Sequence, residues 1–188
     1  MKPASALLPY LPNLITLGRL LAVPLAVWLI IGGHFASAFW LFIAAGVSDA
    51  LDGYLARRFS TRSELGAYLD PLADKALLTS VYVSLGYVEH MPNWLVILVV
   101  FRDVLIIGGA MLYQTLTQRL RMQPLFVSKI NTAAQIALAA FVLGQLGLRF
   151  DSHGIDVVLM YLVVGTTIVS GGAYVAIWGW RIVRSELP

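Results

Sequence analysis

Four aspartates, Asp49, Asp52, Asp70 and Asp74, fall within the 26 residues DALDGYLARRFSTRSELGAYLDPLAD, inside sequence otherwise apolar enough to span a membrane. An ionised carboxylate at bilayer depth costs about 3 kcal/mol unless it is paired or holds a cation, so each demands a function. At helical spacing, positions 49, 52, 53 and 56 share one face, and 66, 70 and 74 share a face of the next helix. A short basic loop joins the two helices, which makes them antiparallel neighbours and lets the four carboxylates face one another near one membrane surface. Carboxylates so crowded repel unless cations intervene. Hard oxygen ligands select Mg²⁺, Mn²⁺ or Ca²⁺ over zinc. Magnesium held this way also takes substrate phosphates, and two such ions about 4 Å apart clamp a phosphoryl group in transfer. Gly53, Ala56 and Gly66 leave a hollow where a nucleotide can approach the backbone. Arg57 is placed to meet a phosphate by forked hydrogen bonds.

The elements that must position these residues are membrane helices. The 188 residues are 59% hydrophobic and 12% charged, with mean hydropathy +0.81. Soluble domains average roughly 45–50% apolar and about 25% charged. The expected fold is all-α: a polytopic membrane protein of six transmembrane helices, roughly 20 residues each, in a single domain over residues 1–188. The expected helices run over residues 13–31, ending at Gly32-Gly33, then 36–58, 64–87, 93–114 after Pro92, 128–148 and 155–180. Met1 to Leu11 is apolar but broken by prolines and is expected to lie along the interface. Basic residues gather on one side (Lys2, Arg57, Arg58, Arg62, Arg119, Arg121, Lys129, Arg181, Arg184), against Arg149 on the other. The positive-inside rule then places both termini and the carboxylates on the cytoplasmic side. Trp40, Trp94, Trp178 and Trp180 fall near span ends, as interfacial anchors do. A net charge of +3 is too small to indicate nucleic acid, and the absence of cysteine removes thiolate chemistry and disulfides. The N-terminus reads as neither a transit peptide nor a cleaved signal, so a bacterial inner membrane is the expected location.

Several polar residues outside the cluster have a structural and a functional reading. Arg102 and Asp103, near mid-span, form either an ion pair between helices or a phosphate-holding site. Lys129 either snorkels to headgroups or binds phosphate. Asn131 and Gln135 serve as interhelical glue or, with Ser128 and Thr132, as the polar stripe of a site wall. Arg19, one turn after Thr16, either snorkels or binds a lipid phosphate. Lys75 neutralises the carboxylates. Gly171-Gly172 reads as close helix packing. His34, His90 and His153 fall in outer loops without metal-ligand spacing.

The spacing D-x-x-D-G-x-x-A-R-x8-G-x-x-x-D-x-x-x-D resembles the motif of the CDP-alcohol phosphatidyltransferases. It is matched without a gap by Asp49, Asp52, Gly53, Ala56, Arg57, Gly66, Asp70 and Asp74. The resemblance implies that a CDP-linked lipid binds through its pyrophosphate to a two-metal Mg²⁺ or Mn²⁺ site. An acceptor hydroxyl then attacks the phosphorus bearing the lipid, and CMP leaves. It implies Asp49, Asp52, Asp70 and Asp74 as metal ligands, Asp74 as the general base, and Gly53, Ala56, Arg57 and Gly66 as the CDP pocket. It also implies a homodimer.

Within that family the remainder of the chain is most similar to the CDP-alcohol type of cardiolipin synthase. The residues concerned are Arg102-Asp103-Val104-Leu105-Ile106 and the run Pro124 to Gln135. The resemblance implies CDP-diacylglycerol as donor, phosphatidylglycerol as acceptor, and substrate contacts from Thr16, Arg19, Arg102, Lys129 and Asn131. Phosphatidylglycerophosphate synthase, with glycerol 3-phosphate as acceptor, is the nearest alternative; it shares Pro12-Asn13-x-x-Thr16-x-x-Arg19. A soluble phosphate acceptor needs basic ligands, whereas Gly108-Gly109-Ala110 suits a lipid reaching the site laterally. A divalent-cation transporter is the alternative of another class. It would need a polar trail to the outer face, of which Tyr82 and Ser84 offer little.

Overall fold

In a computed structural model the chain is described over residues 11–59, 64–117 and 125–185, with side chains described for 17–49, 73–109, 111, 125–177 and 180. Six helices account for almost all of it, and no strand occurs among the described residues: α1 (Leu11–Ile31), α2 (Phe35–Phe59), α3 (Glu64–Tyr87), α4 (Asn93–Thr117), α5 (Phe126–Leu148) and α6 (Ile155–Ser185). Of the expected interfacial segment, only Leu11 is described, as the first residue of α1.

The helix ends follow local chemistry. α1 closes on Gly33, whose φ of 74° is the left-handed conformation glycine adopts freely. The His34 amide then donates to the Leu29 carbonyl at 2.8 Å, the six-residue closure of a helix C-terminus. α3 ends the same way without glycine: Glu89 takes φ 61° and the His90 amide donates to Leu85 at 2.9 Å. α4 runs to Thr117 and α6 to Ser185, beyond the expected Gln114 and Trp180. Apolar runs end where the bilayer does, but a helix continues until Gly, Pro or a cap stops it.

The helices divide between two compact units. The first takes residues 1–90 and 139–151, the second 91–138 and 152–188, so α5 contributes one half to each. In the first unit α1 packs on α2 and α3. Its inward face carries Arg19, Ala26 and Ile30, spaced by two and one helical turns, while Leu17, Leu21, Leu25 and Trp28 face outward. The C-terminal half of α5 closes on the start of α2. A Cβ at Gly147 would stand 2.6 Å from the Ala36 Cα and 2.7 Å from its nitrogen. Backbone cannot yield as a side-chain tip can, so Gly147→Ala must part the two helices. A stability loss of about 1–3 kcal/mol is expected, as for overpacking elsewhere. Gly144→Ala meets only side chains, the Phe39 ring at 3.1 Å and the Phe150 ring at 3.6 Å, and should lose less. Thermal unfolding of both variants in detergent checks the ranking.

In the second unit α4 packs on α6. Here the buried face of α6 is partly polar: Val163, Thr167, Ser170 and Tyr174 are buried, while Val158, Tyr161, Leu162, Ile168 and Val169 are exposed. Polar inside and apolar outside is the pattern of a helix facing lipid. Among the described residues, two helices are long and apolar enough to cross a membrane, Phe126–Leu148 and Ile155–Ile177. Shorter apolar stretches, Leu17–Ile31 and Phe35–Asp49, lie on α1 and α2.

Candidate active site

α1, α2 and α3 bring three charged side chains to one point. Asp49 sits on α2 and Asp74 on α3, near opposite ends of the aspartate motif. Both turn an oxygen to the same nitrogen of Arg19 on α1. Arg19 Nη1 donates to Asp74 Oδ1 and lies 3.0 Å from Asp49 Oδ1. The guanidinium is buried, with 3% of its side chain exposed, whereas Asp49 and Asp74 keep 45% and 40%. The cation is therefore buried while both carboxylates remain partly exposed.

Two of the four aspartates, the two whose side chains are described, thus meet the same nitrogen. Asp52, Gly53, Ala56 and Arg57 lie on α2, and Gly66 and Asp70 on α3, so the motif does fall on two consecutive helices. The side chains of those six residues and of Thr16 lie outside the described ones. Among the described residues, no three of His, Asp and Glu cluster tightly enough to hold a metal. Arg19 pairs with the carboxylates, a reading the sequence did not single out. The available signal was electrostatic: a cation and anions buried in one apolar bundle pair with each other.

The second unit holds a separate polar network. Arg102 on α4 donates through Nη1 to its neighbour Asp103 at 2.7 Å, and through Nη2 to Ser128 Oγ at 2.6 Å and Ser170 Oγ at 2.5 Å. Arg102 is 3% exposed and Asp103 6%. Gly171 on α6 lies beside it: a Cβ there would meet the Arg102 Cγ at 3.7 Å, an ordinary packing distance. Asn131 on α5 is fully buried. Its Oδ1 accepts from Thr166 Oγ1 at 2.8 Å and Thr167 Oγ1 at 2.9 Å. Tyr174 accepts the Leu125 amide at 3.3 Å at the start of α5. The structure thus joins Arg102 to Ser128 and Asn131 to α6, and leaves Lys129 exposed.

The model of the family described as CDP-alcohol phosphatidyltransferase matches residues 9–169, a stretch that includes every residue of the aspartate motif. Among curated relatives is the rice chloroplastic CDP-diacylglycerol–glycerol-3-phosphate 3-phosphatidyltransferase 1 (Oryza sativa subsp. japonica). It is 36% identical over 87% of this chain and 55% of its own. The human CMP-forming cardiolipin synthase is 39% identical over 69% of this chain and 48% of its own. A probable phosphatidylglycerophosphate synthase of Mycobacterium tuberculosis is 32% identical over 88% of this chain and 80% of its own. The chain spans about half the length of the rice and human relatives. With the motif complete, both of its described carboxylates meeting one nitrogen, and the family match running from the start of α1 into α6, the chain belongs to the CDP-alcohol phosphatidyltransferase family.

Proposed function

We propose that this chain transfers the phosphatidyl group of CDP-diacylglycerol to a hydroxyl of phosphatidylglycerol, giving cardiolipin and CMP. The convergence of Asp49 and Asp74 on one cationic nitrogen carries the catalytic half of this reading. Two carboxylate oxygens aimed at one positive centre are a donor set suited to a hard divalent ion. Asp49, Asp52, Asp70 and Asp74 would hold Mg²⁺ or Mn²⁺, which when bound supplies positive charge to the diphosphate in transfer. Gly53, Ala56 and Gly66 leave space for the cytidine nucleotide, and Arg57 holds its phosphate. Asp74 takes the proton of the acceptor hydroxyl as that oxygen bonds to the lipid-bearing phosphorus. The bond from that phosphorus to the CMP oxygen breaks, and no enzyme-bound ester forms. The chain acts as one domain over 1–188, with six spans, both termini and the aspartates on the cytoplasmic side of a bacterial inner membrane, and works as a homodimer.

The acceptor rests on Arg102. Glycerol 3-phosphate brings a compact, multiply charged phosphate that needs unspent cationic donors. Arg102 has its charge balanced by Asp103 and both terminal nitrogens engaged within the unit, while its buried Nε has no partner among the described residues; the balanced charge supports an acceptor without such a group. Relatives named for each acceptor occur at similar identity, so the rice protein's activity is the second reading. The deciding measurement is CMP release by purified protein with CDP-diacylglycerol and Mg²⁺, given phosphatidylglycerol or glycerol 3-phosphate, with products read by mass. Cardiolipin from the first acceptor alone is the expected result. Phosphatidylglycerophosphate from the second alone replaces the acceptor and keeps the aspartates. Metal uptake by sealed vesicles without CMP release from either acceptor would revive the transporter.

A further inference from the structure

The aspartate pair already has a cation. One nitrogen, Arg19 Nη1, meets Oδ1 of both Asp49 and Asp74, and those are oxygens a metal ion would take. Magnesium or manganese binds carboxylate oxygen at about 2.1 Å. A metal seated between the two Oδ1 atoms would need the volume that Nη1 fills, so ion and guanidinium exclude each other there. The arrangement is also asymmetric. Arg19 is buried, with 3% of its side chain exposed, while the two carboxylates keep 45% and 40% of theirs exposed.

Burial explains why such a residue is present. Without a metal, two like charges on adjacent membrane helices would repel, and each would be costly at that depth. One guanidinium from a third helix meets both, cancels half of their charge and ties α1 to α2 and α3. We propose that Arg19 is an internal counter-cation that a divalent metal must displace from Asp49 and Asp74, so that loading the site exchanges one cation for another. This rests on the reading that these aspartates bind a divalent ion. The competing arrangement has the metal on other carboxylate oxygens with Arg19 still in place, orienting the ligands from behind. The two predict opposite signs. Removing a competitor tightens metal binding, whereas removing an orienting outer partner weakens it, typically 10–100-fold.

The test is Mn²⁺ binding to metal-stripped protein in detergent, read from the free-ion paramagnetic resonance signal, for wild type and Arg19→Gln. The expected result is a Kd about tenfold lower in the variant, within the usual range of coupling between two ligands. The metal-free variant should also melt earlier than wild type, and Mn²⁺ should raise its melting temperature by more. If Arg19→Gln does not survive metal stripping, Arg19→Lys serves. A single compact ammonium cannot reproduce the shared guanidinium contact, and a Kd several-fold below wild type is expected. An unchanged or higher Kd in the variant that folds, with wild type binding Mn²⁺, overturns the exchange alone. No Mn²⁺ bound by either protein overturns the metal site and the exchange together.

Discussion

Asp74→Asn is expected to lower CMP release from CDP-diacylglycerol by at least about 10³-fold, within the range that general-base catalysis supplies. The amide keeps the carboxylate's shape, and its oxygen can still accept from Arg19 Nη1, so the fold around α1 and α3 should persist. What it loses is the capacity to take the acceptor's proton, and one negative charge toward the metal. Metal binding should weaken without vanishing, because Asp49, Asp52 and Asp70 remain. Asp49→Asn is the matched comparison: it removes a charge from the same cluster but no base. Excess Mn²⁺ should therefore restore much of the activity of Asp49→Asn and little of that of Asp74→Asn. Turnover of Asp74→Asn within tenfold of wild type, or its full rescue by metal, would take the base role from Asp74.

Arg102→Met is the second large effect, and it falls on stability. The substitution withdraws the cation beside the buried Asp103 carboxylate and removes the donor to Ser128 and Ser170. Breaking a buried ion pair from one side typically costs about 3–5 kcal/mol, because the remaining charge stays desolvated. Replacing both partners with apolar residues leaves no such charge, so Arg102→Met with Asp103→Leu should recover a substantial part of the loss. Unfolding in mixed micelles, followed by helical circular dichroism, measures each variant. If Arg102→Met unfolds like wild type while turnover collapses, Arg102 serves the substrate instead of the packing of α4, α5 and α6. The acceptor argument would then lose its support.

These two residues also mark what could and could not be read along the chain. Helix identity and most ends were legible, because they depend on short-range signals: apolar runs of membrane length, the Gly32-Gly33 stop, and Pro92 before α4. The aspartate motif was legible for the same reason. Spacings of three and four residues fix a helix face whatever the tertiary fold does, so Asp49 and Asp74 could be expected to meet across one short loop. Asn131 was legible only in part. Its burial among polar neighbours followed from a stripe on its own helix, but its partners Thr166 and Thr167 lie a helix away.

Tertiary structure alone decided where the cations go. Arg19 lies 55 residues from Asp74, and Arg102 lies 68 from Ser170. Nothing in local periodicity distinguishes a guanidinium that snorkels, binds phosphate or turns inward to a carboxylate. The choice is made by desolvation: a charge buried on one helix takes the partner that the packing of other helices brings within hydrogen-bond reach. Gly147 shows the same limit in steric form, since its lack of a side chain acquires meaning only where Ala36 comes within 3 Å of the missing Cβ. The amino-acid sequence by itself determined the helices, the family and the register of the aspartates along α2 and α3, all set by spacing within about one helical turn. The pairing of Arg19 with the aspartates, and of Arg102 with α5 and α6, was decided by packing between segments far apart in the chain.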